Sequence, residues 1–535
     1  MAFVTKAEPP DAEFLWTVNR LLSANNDSLN RQVLELLLRE TQLHPFVAEY
    51  WDWLSRCYLC LGERESAKEA FRKFIVLSLG KISFTPSNDL LMLEYPRMIE
   101  ELGGAQDAES IYVKAFSQQP RNLQVIKALS NFYTRHKVFD KSLEILENGV
   151  STTHDVSLQI ETIRVLGLLD RGKEALEYAE RAMKSEKGNS LLHEAVGKIL
   201  LSREDYKKAE IQFRKAVDLD PANPRHWHHY GLSLYCQKKL NDAEEALRKS
   251  VELDESFYEA WNTLGTVYRE LENFSDAERV LKSIIEKWPT KDSAYSNLGA
   301  LYVASGMSHK TKECLLKAEA AVLSNCEELL EEKKFSECMD KCVRASQYNP
   351  KSSLACAFCS IVFIEMEMFD KALEFIEMAI GIDPRCSEAL AAKAYFELAN
   401  RRLGRAERFA LEAVELKPGS GRALHTLAVI QNEVGKYPEA ERNIRKFLEQ
   451  KPTSSMGMLH LARSLLGQGR VAESMTTLGE ALFHDPWNAA LWFSISSILS
   501  KVGLVQDAAA ALQRAREIHP GVDEKVAAFR DRSTQ

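Results

Sequence analysis

Residues 261–289 read WNTLGTVYRELENFSDAERVLKSIIEKWP. Trp261, Leu264, Gly265 and Tyr268 stand at i, i+3, i+4 and i+7, the spacing that gathers side chains on one helix face. Beyond the polar break at Glu272-Asn273, Ala277, Leu281 and Ile284 trace a second such face, and Pro289 ends it. One unit on, Tyr295, Leu298, Gly299 and Tyr302 repeat the first half; one unit back, Trp227, Tyr230, Gly231, Ala243 and Leu247 do the same. Downstream, Pro350, Pro384, Pro418, Pro452, Pro486 and Pro520 fall 34 residues apart without a slip, and Pro221 and Pro289 lie two such steps apart. Two short amphipathic helices cannot hide their own apolar faces. At a fixed period they specify an array in which each pair is covered by its neighbours.

Two positions stay small along the array. On the first helix the slot reads Ser55, Ser130, Gly197, Gly231, Gly265, Gly299, Cys326, Ser360, Ala394, Ala428, Ala462 and Ser496. On the second it runs through Ala67, Ala108, Ser142, Ala175, Ala209, Ala243, Ala277, Thr311, Cys338, Ala372, Ala406, Ala440, Ser474 and Ala508. Where two helices cross at such a point, a larger side chain overpacks the pair at a cost of about 1–3 kcal/mol. Turn chemistry such as Asp220-Pro221-Ala222-Asn223 closes the units.

Trp261, Leu264, Gly265, Tyr268, Ala277 and Pro289 fill the slots of a W-x2-L-G-x2-Y signature with its later Ala and closing Pro. The chain thus resembles the tetratricopeptide repeat family. The resemblance implies an all-α solenoid of about 14–15 helix–turn–helix repeats in a right-handed superhelix. The expected division is a degenerate N-terminal repeat or cap at 1–50, an N-terminal array at 51–320, a C-terminal array at 321–520 and a capping helix and tail at 521–535.

Three irregularities interrupt the register. Ala67 to Ala108 is a step of 41, which predicts an insertion near 78–88. In that unit Pro96 takes the small slot of the first helix, where a kink is expected, and Ile163 puts a large residue in the same slot further on. Thr311 to Cys338 is a step of only 27, and residues 307–349 contain neither Gly nor Pro. The simplest solution is one long helix over about 309–333 that joins two superhelical segments, roughly 37 Å at 1.5 Å per residue. A turn between Ala318 and Val322 would refute it.

Composition adds constraints. The 535 residues are 45% apolar and 27% charged, with net charge −8, which gives no electrostatic footprint for nucleic acid. The N-terminal stretch lacks a secretory pattern, and the apolar run Leu354 to Ile364 is too short to span a bilayer. Ten cysteines scattered through helical patterns suit a reducing compartment. The expectation is a cytoplasmic protein, with a nuclear location also open, that takes protein or peptide partners and inserts in no membrane; a homo-oligomer is open as well.

The resemblance also implies a concave groove lined by the first helices. In the second half this face reads Leu354, Ala357, Ile361, Tyr395, Val429, Leu459 and Phe493, punctuated by Arg422, His425 and Arg463. An apolar, partly aromatic groove of this kind suits an amphipathic helix or extended apolar peptide. Some relatives grip a terminal carboxylate with a Lys/Asn/Asn/Lys/Arg set. Lys127 and Asn131 match its first half, but Glu161 and Ala195 stand where further members belong. The Asn ladder of related glycosyl-transfer enzymes is matched by Asn297, while Thr263 and His229 break it.

Seven of the ten cysteines fall between Cys314 and Cys386. Cys338-x3-Cys342 and Cys356-x2-Cys359 have zinc-like spacing, yet all four occupy core slots of the repeat, where a thiol behaves as a small hydrophobe. Cys57 and Cys60 have no second pair nearby, and His226, His228 and His229 lack a Cys or carboxylate at ligand spacing. No phosphate loop, nucleophile elbow or H-E-x-x-H motif is present. The reading is a non-catalytic scaffold or adaptor without cofactor or metal, a subunit of a larger assembly. Its rivals are a metal-binding or enzyme-associated repeat protein centred on Cys338–Cys359, and a self-assembling structural protein.

Overall fold

The computed structural model describes residues 12–23, 26–78, 89–185, 188–331 and 334–519. Every regular element among them is an α-helix, and the helices follow in pairs, from Ala12–Ser23 with Asp27–Leu43 to Ala489–Val502 with Val505–Ile518. The first pair stands where a degenerate N-terminal repeat is expected. Of the insertion expected near 78–88, Ser78 caps helix Arg64–Leu77, and the rest, like the capping segment 521–535, lies outside the described residues. None of the described helices is long and apolar enough to cross a membrane.

One unit shows why the sequence folds this way. Helices Tyr258–Glu270 and Phe274–Lys287 bury Leu264, Val267, Tyr268, Val280, Leu281 and Ile284 between them and against neighbouring pairs. A Cβ on Gly265 would lie 2.9 Å from the Leu281 side chain, so the first small slot is a close approach. Trp261 donates its indole N–H to the Glu255 carbonyl at 3.1 Å and holds the turn before the unit. Trp51, Trp227 and Trp492 do the same to Pro45, Pro221 and Pro486, six residues upstream each time.

Between the paired helices one residue is left-handed, and a six-residue hydrogen-bonded return closes the first helix, as from Asn273 N–H to the Tyr268 carbonyl at 2.9 Å. The left-handed residue recurs with the period. It is Glu204, Lys238, Glu272 and Gly306, then Glu367, Arg401, Gly435, Gly469 and Gly503. Gly306 to Glu367 is 61 residues, seven short of two periods, so the backbone carries the same deletion as the side-chain register.

At that deletion the expected single helix over 309–333 is not formed. Helix Ser308–Leu323 ends at a turn of Ser324 and Asn325, and a second helix, Cys326–Glu331, begins after it. The turn falls just beyond the Ala318–Val322 window. Ser324 bonds its hydroxyl back to the Ala321 carbonyl at 2.9 Å, and the Asn325 carbonyl accepts the Leu329 N–H at 3.1 Å. Ser and Asn compete with the helix for backbone partners, which places the break there. At Pro96, by contrast, the helix continues, running Asp89–Glu101 through the proline.

The chain divides into two compact units: Ser130–Phe396, and Met1–Leu129 together with Glu397–Gln535. In the second of these the chain's two ends pack together. Arg72 lies over the Phe483 ring at 5.6 Å and Phe71 stacks on Trp487.

Candidate functional site

In the unit built from both chain ends, helices Gly421–Val434, Ser455–Gly467 and Ala489–Val502 are first helices of successive repeats. Arg422, His425, Val429, Arg463 and Phe493 are half-buried on them, whereas Leu459 is closed off at 1% exposure. His425 and His460 meet edge to face, with ring centroids 5.1 Å apart. His425 Nε2 and His460 Nδ1 are both buried without a hydrogen-bond partner. Burial, then the charges of Arg422 and Lys451, hold the His425 imidazolium down to about 3. Burial also lowers Arg463, against the opposing pull of Glu433. The face therefore carries two cations and two neutral imidazoles among apolar residues.

In the other unit, Leu354 and Tyr395 are half-buried, and Tyr395 donates its hydroxyl to Glu365 at 2.7 Å. Ala357 and Ile361 are buried. Helix Ser353–Glu365 has nine of its thirteen residues buried, so it is covered all round and presents no open stripe. Ala357, Ile361 and Leu459 thus support their faces from beneath.

The half-clamp residues Lys127 and Asn131 lie on helix Leu123–Arg135. Asn131 accepts from Arg164 at 3.4 Å, and Arg164 also donates to Glu161 at 2.7 Å. Asn297 donates to Asn262 of the preceding first helix at 2.9 Å, and His228 meets Thr263 at 3.3 Å. Polar residues in these slots tie neighbouring repeats together sideways. Reading one slot at a time hides such pairs, because each joins two different slots one period apart.

The histidine group does have a carboxylate, contrary to the sequence reading. Glu194 comes from the previous repeat, 2.9 Å from His226 Nδ1 and 3.6 Å from His229 Nε2, with Lys198 also on it. Burial alone would raise the Glu194 carboxyl, but the hydrogen bonds from His226 and Lys198 outweigh it and hold it at about 2. Burial and the Lys198 charge bring His229 to about 3. An ammonium on the carboxylate makes this an ion-pair cluster.

The cysteines regroup. Cys326, Cys338 and Cys342 are fully buried, and their sulfurs all lie within 4.8 Å of one another. Cys359, on the next first helix, shares their core and neighbours Cys342, outside the close group of three. Cys356 belongs elsewhere, in a small core with Cys386, Ala357 and Ala389. The spacing-based pair Cys356-x2-Cys359 is thus split, and Cys326, overlooked as a ligand in the sequence, joins the group. Its signal was present, since Cys326 and Cys338 fill the two small slots that face each other in an ordinary unit.

Paired helices at a 34-residue period, meeting at small residues and capped by a left-handed turn, define a helical-repeat solenoid protein. Profiles described as tetratricopeptide repeat match residues 169–224, 230–306 and 459–523, and another matches 48–78. Over these residues the chain carries tetratricopeptide repeats. The BBSome complex member BBS4 homolog of Drosophila melanogaster is 25% identical over 242 residues, 43% of this chain and 48% of that protein. The chain thus matches about half the length of this curated relative. Among solved structures, the APC/C hetero-tetramer Cut9-Hcn1 is 10% identical with a TM-score of 0.32, covering 81% of this chain and 94% of that one. MamA is 19% identical with a TM-score of 0.28, covering 29% and 91% respectively.

Proposed function

We propose that this protein is a non-catalytic adaptor of the cytoplasm, a subunit of a larger complex, that holds a partner segment on the first helices of residues 421–502. The observation that carries the reading is the unspent chemistry of that face. Phe493 and Val429 are half-buried apolar side chains, and two buried imidazole nitrogens of His425 and His460 have no hydrogen-bond partner. A buried polar atom left unpaired costs about 1–3 kcal/mol, which a partner's donor or acceptor would recover. Arg422 and Arg463 beside them favour a segment that is apolar on one side and acidic on the other. The printed name of the Drosophila relative, a member of a complex, supports complex membership here. The division of the repeat register into 51–320 and 321–520 stays part of this proposal.

Affinity purification of the full chain with cross-linking mass spectrometry tests it. Cross-links from Lys451 and Lys501, which flank the face, should reach an acidic amphipathic segment of one partner. Phe493→Glu and Arg463→Glu should each abolish those links while the helical signal and melting temperature are retained. Tyr395→Glu, in the other unit, reports whether that unit shares the work. Links unchanged in the Phe493 and Arg463 variants would remove the assignment.

A further inference from the structure

In an ordinary unit of this array three slots meet at the crossing of the paired helices. They are the small residue of the first helix, the small residue of the second, and the side chain four residues further on. A Cβ on Gly197 would lie 2.5 Å from Phe213, and one on Gly231 would lie 2.8 Å from Leu247 and 3.3 Å from the Ala243 carbonyl. In the unit after the seven-residue deletion all three slots are cysteine: Cys326, Cys338 and Cys342. None has any exposed surface, and the three sulfurs lie within 4.8 Å of one another. Cys359 of helix Ser353–Glu365 brings a fourth sulfur against Cys342. The four thiols come from three helices and share one core with Leu329, Leu330, Ala345 and Val362.

This is also where the array is thinnest. The first helix of the unit, Cys326–Glu331, has six residues, against thirteen in the units on either side. A helix of that length is far too short to hold itself and brings little apolar area to its partner. We infer that Cys326, Cys338, Cys342 and Cys359 form a closed structural site for one thiophilic divalent cation, Zn2+, that staples the truncated repeat. Four Zn–S bonds of about 2.3 Å in tetrahedral array put sulfurs about 3.8 Å apart. The Cys326, Cys338 and Cys342 sulfurs, within 4.8 Å of one another, reach that spacing by a small inward shift, and Cys359 completes the set by turning in from beside Cys342. Each sulfur gives up its proton as its bond to the metal forms, so filling the site releases four protons and leaves a tetrathiolate of charge −2. Lys341, whose ammonium bonds Asn325 beside Cys326, faces that charge.

The competing account is that these thiols are four small core hydrophobes, and one substitution separates the two. Alanine fills the Cys338 slot in most sister units, so Cys338→Ala conserves packing and removes a ligand. The full chain, purified under reducing conditions without chelator, should carry about one zinc per chain by elemental analysis. Refilled with Co2+, it should show thiolate-to-cobalt charge-transfer absorption and tetrahedral ligand-field bands. Cys338→Ala should lose both while remaining helical, and Cys342→Leu, which restores another sister residue, should behave alike. Chelator should lower the melting temperature of the wild type and leave that of Cys338→Ala unchanged. Cys314→Ala, outside the group, should keep its metal. A wild-type chain with neither zinc nor a cobalt spectrum would overturn the site, as would a Cys338→Ala chain that binds cobalt as the wild type does.

Discussion

Trp487 donates its indole N–H to Asp107 at 2.7 Å, although 380 residues separate the two in the chain. The same carboxylate oxygen accepts Arg514 at 2.7 Å. The Trp487 ring stacks on Phe71 with centroids 6.3 Å apart and planes 18° from parallel. Gly104 lets the indole come this close, since a Cβ there would sit 2.3 Å from the ring. One carboxylate therefore ties helix Ala105–Gln118 both to the turn before Ala489–Val502 and to Val505–Ile518.

Removing that carboxylate should loosen the C-terminal helices first. Asp107→Ala leaves the Arg514 guanidinium, whose side chain is 8% exposed, with Glu517 at 3.3 Å as its remaining ion-pair partner among the described residues. Orphaning a largely buried charge costs about 3 kcal/mol, and Glu517 trims this figure. Hydrogen exchange across 505–518 should accelerate well before exchange in helices 206–219 or 240–253. Asp107→Ala and Trp487→Ala should combine to less than the sum of their separate effects, because they share a contact. Protection of 505–518 that matches the wild type would show that the tie is not holding those helices.

The period, the small slots and the closing prolines were legible in the sequence because each is fixed inside a unit or between adjacent units. Asp107 and Trp487 were not. In an array built from nearest-neighbour interfaces, which distant repeats meet depends on small rotations summed over many units, and no single unit records that sum. The break at Ser324-Asn325 was half legible. The missing seven residues announced a junction, but the local competition of Ser and Asn with the helix decided that the chain turns there. Leu459 and Ala357 were placed on a face by slot, yet slot position does not say how deeply the neighbouring first helix covers it.

The glycines of one slot should respond oppositely to the same change. At Gly197 a methyl group meets the Phe213 ring at 2.5 Å, and Phe213 is itself fully buried. Gly197→Ala should cost about 1–3 kcal/mol through overpacking. At Gly299 the nearest atoms are 3.5 Å away, on Cys314 and Leu315, an ordinary contact. Gly299→Ala should stabilise by about 0.5–1 kcal/mol, because alanine loses less backbone freedom on entering a helix. Urea midpoints of the two variants on either side of the wild type would bear this out, and a shift in the same direction for both would refute it.

The left-handed turn residue offers a similar contrast. Glu367 holds φ at 59°, where an L side chain crowds its own carbonyl, while Gly435 holds 82° in the same turn two units on. Glu367→Gly should stabilise by about 1 kcal/mol, less the extra chain entropy of glycine. Gly435→Ala should cost about 1–2 kcal/mol. Thermal melts rank the three chains, and a Gly435→Ala chain as stable as the wild type would contradict the strain.

Acid should weaken this protein well before its carboxylates titrate. Burial lowers His228 from 6.5 to about 4, and burial with neighbouring cations lowers His229 and His425 to about 3. In the unfolded chain these rings titrate near 6.5. Between that value and the folded ones, the unfolded state takes up protons that the folded state refuses. Stability is thus flat above about pH 7 and falls as pH drops through 6.5, by up to about 1.4 kcal/mol per pH unit for each ring. Glu194, held at about 2, adds its own loss only below pH 4.5. His425 faces Arg422, Lys451 and His460, none of which offers it a negative charge. Denaturant midpoints measured at pH 7.5, 6.0 and 5.0 should therefore decline for the wild type and decline less steeply for His425→Phe. A flat wild-type profile from pH 6.5 to 5.0 would mean that these imidazoles reach protons in the folded chain after all.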